Sequence, residues 1–257
     1  MTTRTRVVRF YYGTLALLLG YTVAAQTLLT HHEHRSLANT FNYFTIQSNV
    51  LILVTSIVLF LWPQASGARW RVARLGALSG ITVTGVVYAT VLDPYVHLSG
   101  DGLIYNYIFH CVVPFAAVAG FIFVGPRVAF RRGDLAFIAW PILWLAYTML
   151  RGAVARPEVT GFGQPPSHYP YRFLDIDRVS IAVVIGSVIA VAVLLIGVAL
   201  AYIWAGKHLW VPKTSSVLIK PRLGLTVAPG MIFGHVLAPR VLDHHARVLV
   251  AAPVTSR

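Results

Sequence analysis

Six stretches of nearly unbroken apolar residues alternate along the chain with short polar, basic or proline-rich connections. They run about Phe10–Leu29, Phe41–Trp62, Leu75–Leu92, Leu103–Val124, Leu135–Leu150 and Val179–Ala205. Each approaches the roughly 20 residues that a helix needs to cross the hydrocarbon core of a bilayer. The pattern predicts an all-α fold, a bundle of six transmembrane helices over residues 1–206. A tail, residues 207–257, is broken by proline and glycine and is too interrupted to span; it is expected to be poorly ordered or to lie on the inner membrane surface. The fifth run is the shortest and carries Pro141, which predicts a kink. In the third, Gly76 and Gly80 have the spacing that lets another helix approach closely. The first run follows Arg4, Arg6 and Arg9 and could be a secretory signal, but its apolar core exceeds the roughly 7 to 15 residues of a signal segment. It is expected to be retained as a helix.

Composition agrees with the pattern. Of 257 residues, 57% are hydrophobic and only 11% charged, which excludes an ordinary soluble domain. A net charge of +13 could point to nucleic acid, but the cations sit between apolar runs instead of on one soluble face, so no nucleic-acid partner is expected. They report topology. Sixteen Lys and Arg residues fall on the side of the two termini and five (Arg35, Arg151, Arg156, Arg172, Arg178) on the other. Both termini are therefore predicted to be cytoplasmic. The single cysteine, Cys111, excludes an intrachain disulfide.

Against this apolar background one stretch stands out, Thr45-Ile46-Gln47-Ser48-Asn49, at the outer end of the second run. Polar groups in hydrocarbon need internal partners. The fourth run also enters from outside and carries Asn106 and His110 four residues apart, on one helical face and at a comparable depth. Arg151 closes the fifth run at the same boundary. The external connection from Arg151 to Arg178, rich in aromatic residues and proline, is longer than a connector requires and is expected to fold as a cap at headgroup level. Within it lie Tyr169 and Asp175, and Arg151 and Asp175 are expected to pair and lock the cap. The inner half of the bundle looks almost purely apolar.

His110 is the only histidine deep inside a run. It could act as general base toward the hydroxyl of Thr45, or it could simply bond across helices and hold the bundle together. Gln47, Ser48 and Asn49 could donate to an oxyanion or serve as interhelical hydrogen-bond partners. His31, His32 and His34 with Glu33 lack a regular metal-ligand spacing, and one membrane histidine does not make a bis-histidine haem. Neither metal nor other cofactor is expected.

The segments Phe44-Thr45-Ile46-Gln47-Ser48-Asn49, Asn106-x-x-x-His110-x-x-x-Pro114, Leu150-Arg151-Gly152 and Tyr169-Pro170-Tyr171-x-Phe173-Leu174-Asp175 together resemble the bacterial six-pass Pr6Pr membrane proteins. Those are distantly similar to the eukaryotic androgen-induced and androgen-dependent tissue-factor-pathway-inhibitor-regulating proteins. The resemblance covers roughly Arg9 to Ala205. It implies a multi-pass protein of a bacterial plasma membrane. It also implies a threonine hydrolase acting on fatty acid esters of hydroxy fatty acids, with Thr45 as nucleophile and His110 as base. The chain departs from the bacterial pattern after Pro114, where an acidic-aromatic pair is common and Phe115 to Phe121 is apolar throughout.

Two functions are thus expected. One is a lipid-ester hydrolase with catalytic Thr45 and His110, supported by Gln47, Ser48, Asn49, Asn106, Arg151, Tyr169 and Asp175, with membrane lipids and a lipid or amphiphilic substrate as its partners. The other is a binding or transport protein that holds a small amphiphile in the same pocket without chemistry. Oligomeric state is not set by the sequence.

Overall fold

A computed structural model describes residues 2–126, 128–161 and 164–208. The expected tail lies outside the described residues beyond His208. The described chain is an all-α six-helix bundle with a small loop subdomain, and its six long apolar helices make it a multi-pass integral membrane protein.

The spans are Thr3–His32, Phe44–Leu61, Ala68–Tyr95, Gly100–Val124, Arg132–Ala155 and Ile181–His208. The first starts seven residues before its apolar run, because Thr2 caps it by accepting a bond from the Thr5 N–H. The second starts later than its apolar run. Tyr43 is extended (φ −65°, ψ 130°) and separates a short helix, Leu37–Asn42, from the span, so Phe41 and Asn42 belong to that short helix and not to the membrane helix.

The third span is the most enclosed and the sixth the least. The second packs between the first and third, and the third also carries the fourth and sixth. Leu19, Ile52, Leu59, Leu75, Leu78, Ile81 and Val113 meet in the buried core. Large apolar side chains such as Phe10, Leu17, Phe115, Phe123 and Ile142 face outward, where lipid covers them.

Proline shapes the fifth span differently from expectation. Residues Arg132–Ile138 form a 3₁₀ helix and the α-helix begins only at Ala139, so Pro141 falls in its first turn, where a missing N–H is harmless. Asp134 anchors this start by accepting from the Arg131 N–H (2.8 Å) and pairing with Arg71 (3.0 Å). The Gly76–Gly80 step on the third span admits side chains of the fifth span: a Cβ at these positions would meet Phe137 at 3.1 Å and Trp140 at 3.0 Å.

The long external connection is folded. Val159–Gly161 pairs antiparallel with Gln164–Ser167, a 3₁₀ turn follows at Arg172–Leu174, and Tyr169, Tyr171 and Leu174 are buried beneath it.

The inner half is not purely apolar. Arg74, expected as a cytoplasmic topology charge, is only 3% exposed. Its guanidinium donates to Tyr12 Oη (2.9 Å) on the first span and Thr55 Oγ1 (3.2 Å) on the second. Arg74 sits one residue before the apolar run, where an arginine headed for water and one folded inward look alike in sequence.

Candidate functional site

The site is built on an irregular helix. In the fourth span the regular α-helix Gly100–Tyr107 gives way to a π turn, Ile108–Val112, before Pro114. The Val113 N–H bonds Ile108 O, five residues back. Pro114, with no N–H, cannot serve Phe109 O in the same register, so that carbonyl loses both possible backbone donors. Asn49 replaces them: its Nδ2 donates to Phe109 O (3.2 Å) and also to Thr45 O (2.9 Å). Gly85 on the third span lets the irregular segment approach, since a Cβ there would lie 2.9 Å from Pro114 and 3.3 Å from His110 O.

The widened turn carries His110. Its Nδ1 lies 2.9 Å from Asn106 O, and a backbone carbonyl can only accept, so Nδ1 bears the proton. Nε2 then carries the lone pair, 3.1 Å from Thr45 Oγ1, and the Thr45 hydroxyl donates to it. The imidazole stacks on Tyr88 (centroids 4.3 Å apart), whose hydroxyl accepts from Asn106 Nδ2 (2.7 Å). Asn106 therefore fixes the ring twice, through its carbonyl and through Tyr88. The Asn106 carbonyl sets the tautomer without a carboxylate.

A third hydroxyl completes the group. Tyr171, from the external loop, is buried and accepts from the Thr45 N–H (3.2 Å), while its Oη lies 3.3 Å from Thr45 Oγ1. Because the Thr45 proton is directed to His110, the phenol proton is directed to Thr45 Oγ1. Burial pushes the Tyr171 phenol above its ordinary 10.0, so it stays a donor. Tyr43 meets its ring edge-on (5.5 Å) and Phe173 stacks against it (5.3 Å).

The remaining expected site residues are distributed unevenly. Ser48 donates to Thr45 O (3.0 Å) or shares its proton with Thr84 (2.9 Å), and so braces the second span against the third. Gln47 does not face the site: its Nε2 donates to Phe41 O (3.1 Å) and its Oε1 accepts from Trp140 (3.0 Å). The expected Arg151–Asp175 pair does not form. Arg151 donates to Asn39 Oδ1 (2.6 Å), whereas the buried Asp175 accepts from Ser167 (2.7 Å) and the Asp177 N–H (3.0 Å) and pairs with Arg178 (3.4 Å). Arg151 ties the fifth span to the short helix Leu37–Asn42, whose Asn39 donates to Glu158 O (2.6 Å) in the loop, and Asp175 braces the loop from within. Tyr169 packs its ring on Gly152 and lines neither cavity at the site. Tyr171, two residues on, is the loop tyrosine that reaches Thr45.

Two cavities meet there. One, about 220 Å³, is walled mainly by apolar side chains of the third, fifth and sixth spans, with Phe173 and Leu174 above. Its rim includes Ile142 and Ile196, which are 61% and 41% exposed on the lipid-facing surface. The other, about 520 Å³, has a mixed lining of polar and apolar side chains and lies on the outer side among the first, second and fourth spans, with His110 and Asn106 in its wall. Thr45 borders both.

Comparison with known proteins adds no assignment: no family model, curated protein or solved structure matches the chain.

Proposed function

We propose that the protein is a threonine-type hydrolase of lipid esters, with Thr45 as nucleophile and His110 as general base. The observation that carries this reading is that Thr45 forms the common wall of an apolar cavity and one of mixed lining, with its hydroxyl 3.1 Å from an imidazole nitrogen held ready to accept its proton. Hydrogen-bond reach between nucleophile and base, with the base oriented by a third group, is the arrangement that activates a hydroxyl.

In the first half-reaction Thr45 Oγ1 bonds to the ester carbonyl carbon and its proton passes to His110 Nε2. As Oγ1 is consumed, the Tyr171 hydroxyl that pointed at it turns to the developing oxyanion. The carbon–alkoxy bond then breaks, the alcohol takes the proton from Nε2, and the acyl group remains on Thr45. In the second half, water gives a proton to Nε2 and its oxygen bonds to the acyl carbon. The bond to Thr45 breaks, Oγ1 recovers the proton, and the carboxylic acid leaves. Gln47, Ser48 and Asn49 take no part in these transfers, since their donors are committed to carbonyls or to Thr84.

The test is labelling of membranes with a fluorophosphonate probe. Wild-type protein is expected to label and Thr45→Ala to lose labelling. Absent wild-type labelling, or equal labelling of the variant, would overturn the nucleophile assignment and favour a pocket that only binds an amphiphile.

A further inference from the structure

The two cavities differ in chemistry as well as in position, and this orients any ester that reaches Thr45. In the smaller one the polar groups are few and occupied: Thr84 is bonded to Ser48 (2.9 Å) and the Trp144 N–H donates to Asn42 O (2.8 Å). Such a wall favours a hydrocarbon chain and penalises an alcohol rich in hydroxyls. Scaling from the ~150 Å³ cavity that encloses the six carbons of benzene, its 220 Å³ accommodates on the order of nine carbons. A longer chain continues past Ile142 and Ile196 into lipid.

Beside the apolar Leu29, Ile46 and Phe109, the larger cavity offers Thr40, Ser99 and the charged residues Glu33, Arg35 and Asp101. The guanidinium of Arg35 is engaged by Glu33, with Nε 2.6 Å from Oε2. Asp101 has no ion pair among the described residues. The formal balance of this chamber is therefore negative, with its one arginine already neutralised. A carboxylate brought into it meets repulsion, an alkyl chain would cover the Asp101 carboxylate and the Glu33–Arg35 pair, and a neutral polyol can hydrogen-bond to them.

Resting on the hydrolase reading, we infer that the substrate class is an ester of a fatty acid with a hydrophilic, uncharged alcohol of the glycerol type. Its acyl half lies on the lipid side of Thr45 and its alcohol half in the outer chamber. The chamber is larger than such an alcohol needs, so it also admits the water that releases the acyl group.

The experiment compares three esters that share a decanoyl group: 1-decanoylglycerol, decyl decanoate, and the decanoyl ester of a hydroxy fatty acid bearing a free carboxylate. They are supplied to the full chain in lipid nanodiscs, with Thr45→Ala as the blank. The glycerol ester is expected to lead in kcat/KM by about tenfold or more, the scale of discrimination that pocket chemistry supplies. Asp101→Asn is expected to narrow the gap between the carboxylate-bearing ester and the glycerol ester severalfold. Thr45-dependent turnover led by either of the other esters would overturn this inference alone and leave the hydrolase intact. Absence of Thr45-dependent turnover for all three would overturn both.

Discussion

The phenol of Tyr171 touches Thr45 twice, at its amide and at its hydroxyl, and this makes it the position to test beside the proposed nucleophile and base. Tyr171→Phe retains the ring contacts with Tyr43 and Phe173 and removes the donor. It is expected to lower thermal stability by about 1–3 kcal/mol, because the buried Thr45 N–H loses its acceptor, and to slow fluorophosphonate labelling of the folded protein about tenfold, the worth of one hydrogen bond made in the transition state. A rate equal to wild type would remove Tyr171 from the chemistry. Thr45 and His110 were legible in the sequence because both lie on helices that enter from the same side, so residue counting converts directly to depth. Tyr171 was not, because a loop has no period: the two tyrosines that flank Pro170 are equivalent until the fold places one on Gly152 and the other on Thr45. Gln47 was misjudged for a related reason. Two positions along a helix is a turn of about 200°, which carries it from the Thr45 face to the Trp140 face despite its nearness in sequence.

At the level of the element, Pro114, the π turn and Asn49 form one device. Pro114 removes a donor, the turn widens around His110, and Asn49 on a neighbouring span serves the exposed Phe109 carbonyl. Asn49→Ala is expected to cost about 1–3 kcal/mol, since it leaves buried carbonyls without that donor. In a Pro114→Ala background, where an N–H is available again, the same substitution should cost less, and thermal unfolding of the four proteins in one detergent measures the coupling. Additive losses would show that Asn49 and Pro114 act independently. The sequence displayed this device only as spacing. Asn106, His110 and Pro114 recur at intervals of four, which places them on one face of a regular helix, but a π turn cannot be inferred from a period that it interrupts. Asn49 looked like a site residue and is a structural partner of the site helix.

For the whole molecule, the count of spans and their approximate borders followed from apolar runs, because the bilayer imposes one length on every crossing. The charge bias on either side sets orientation. With Cys111 replaced by serine, a cysteine at Glu158 is expected to react with a membrane-impermeant maleimide applied to intact cells, and one at Gln64 only after lysis; the reverse pattern would invert the topology. Arg74 escaped that reading because it is a cation withdrawn from the membrane surface to tie three spans together. Arg74→Ala is expected to lower stability by on the order of 2 kcal/mol in thermal unfolding, the range for hydrogen bonds to a charged group, while labelling of folded protein at Thr45 persists. Equal loss of labelling and stability would tie this inner cluster to the site. The position of Thr45 between two unlike cavities has a consequence for what happens after an ester is cut. If Thr45 cuts esters as proposed, the scissile bond lies across a boundary between lipid and water folded into the protein, and each product would leave on the side where it dissolves. The fatty acid would return to the bilayer and the alcohol to the medium. Neither would have to cross the phase that rejects it, and re-esterification would be disfavoured because the two products would no longer share a compartment.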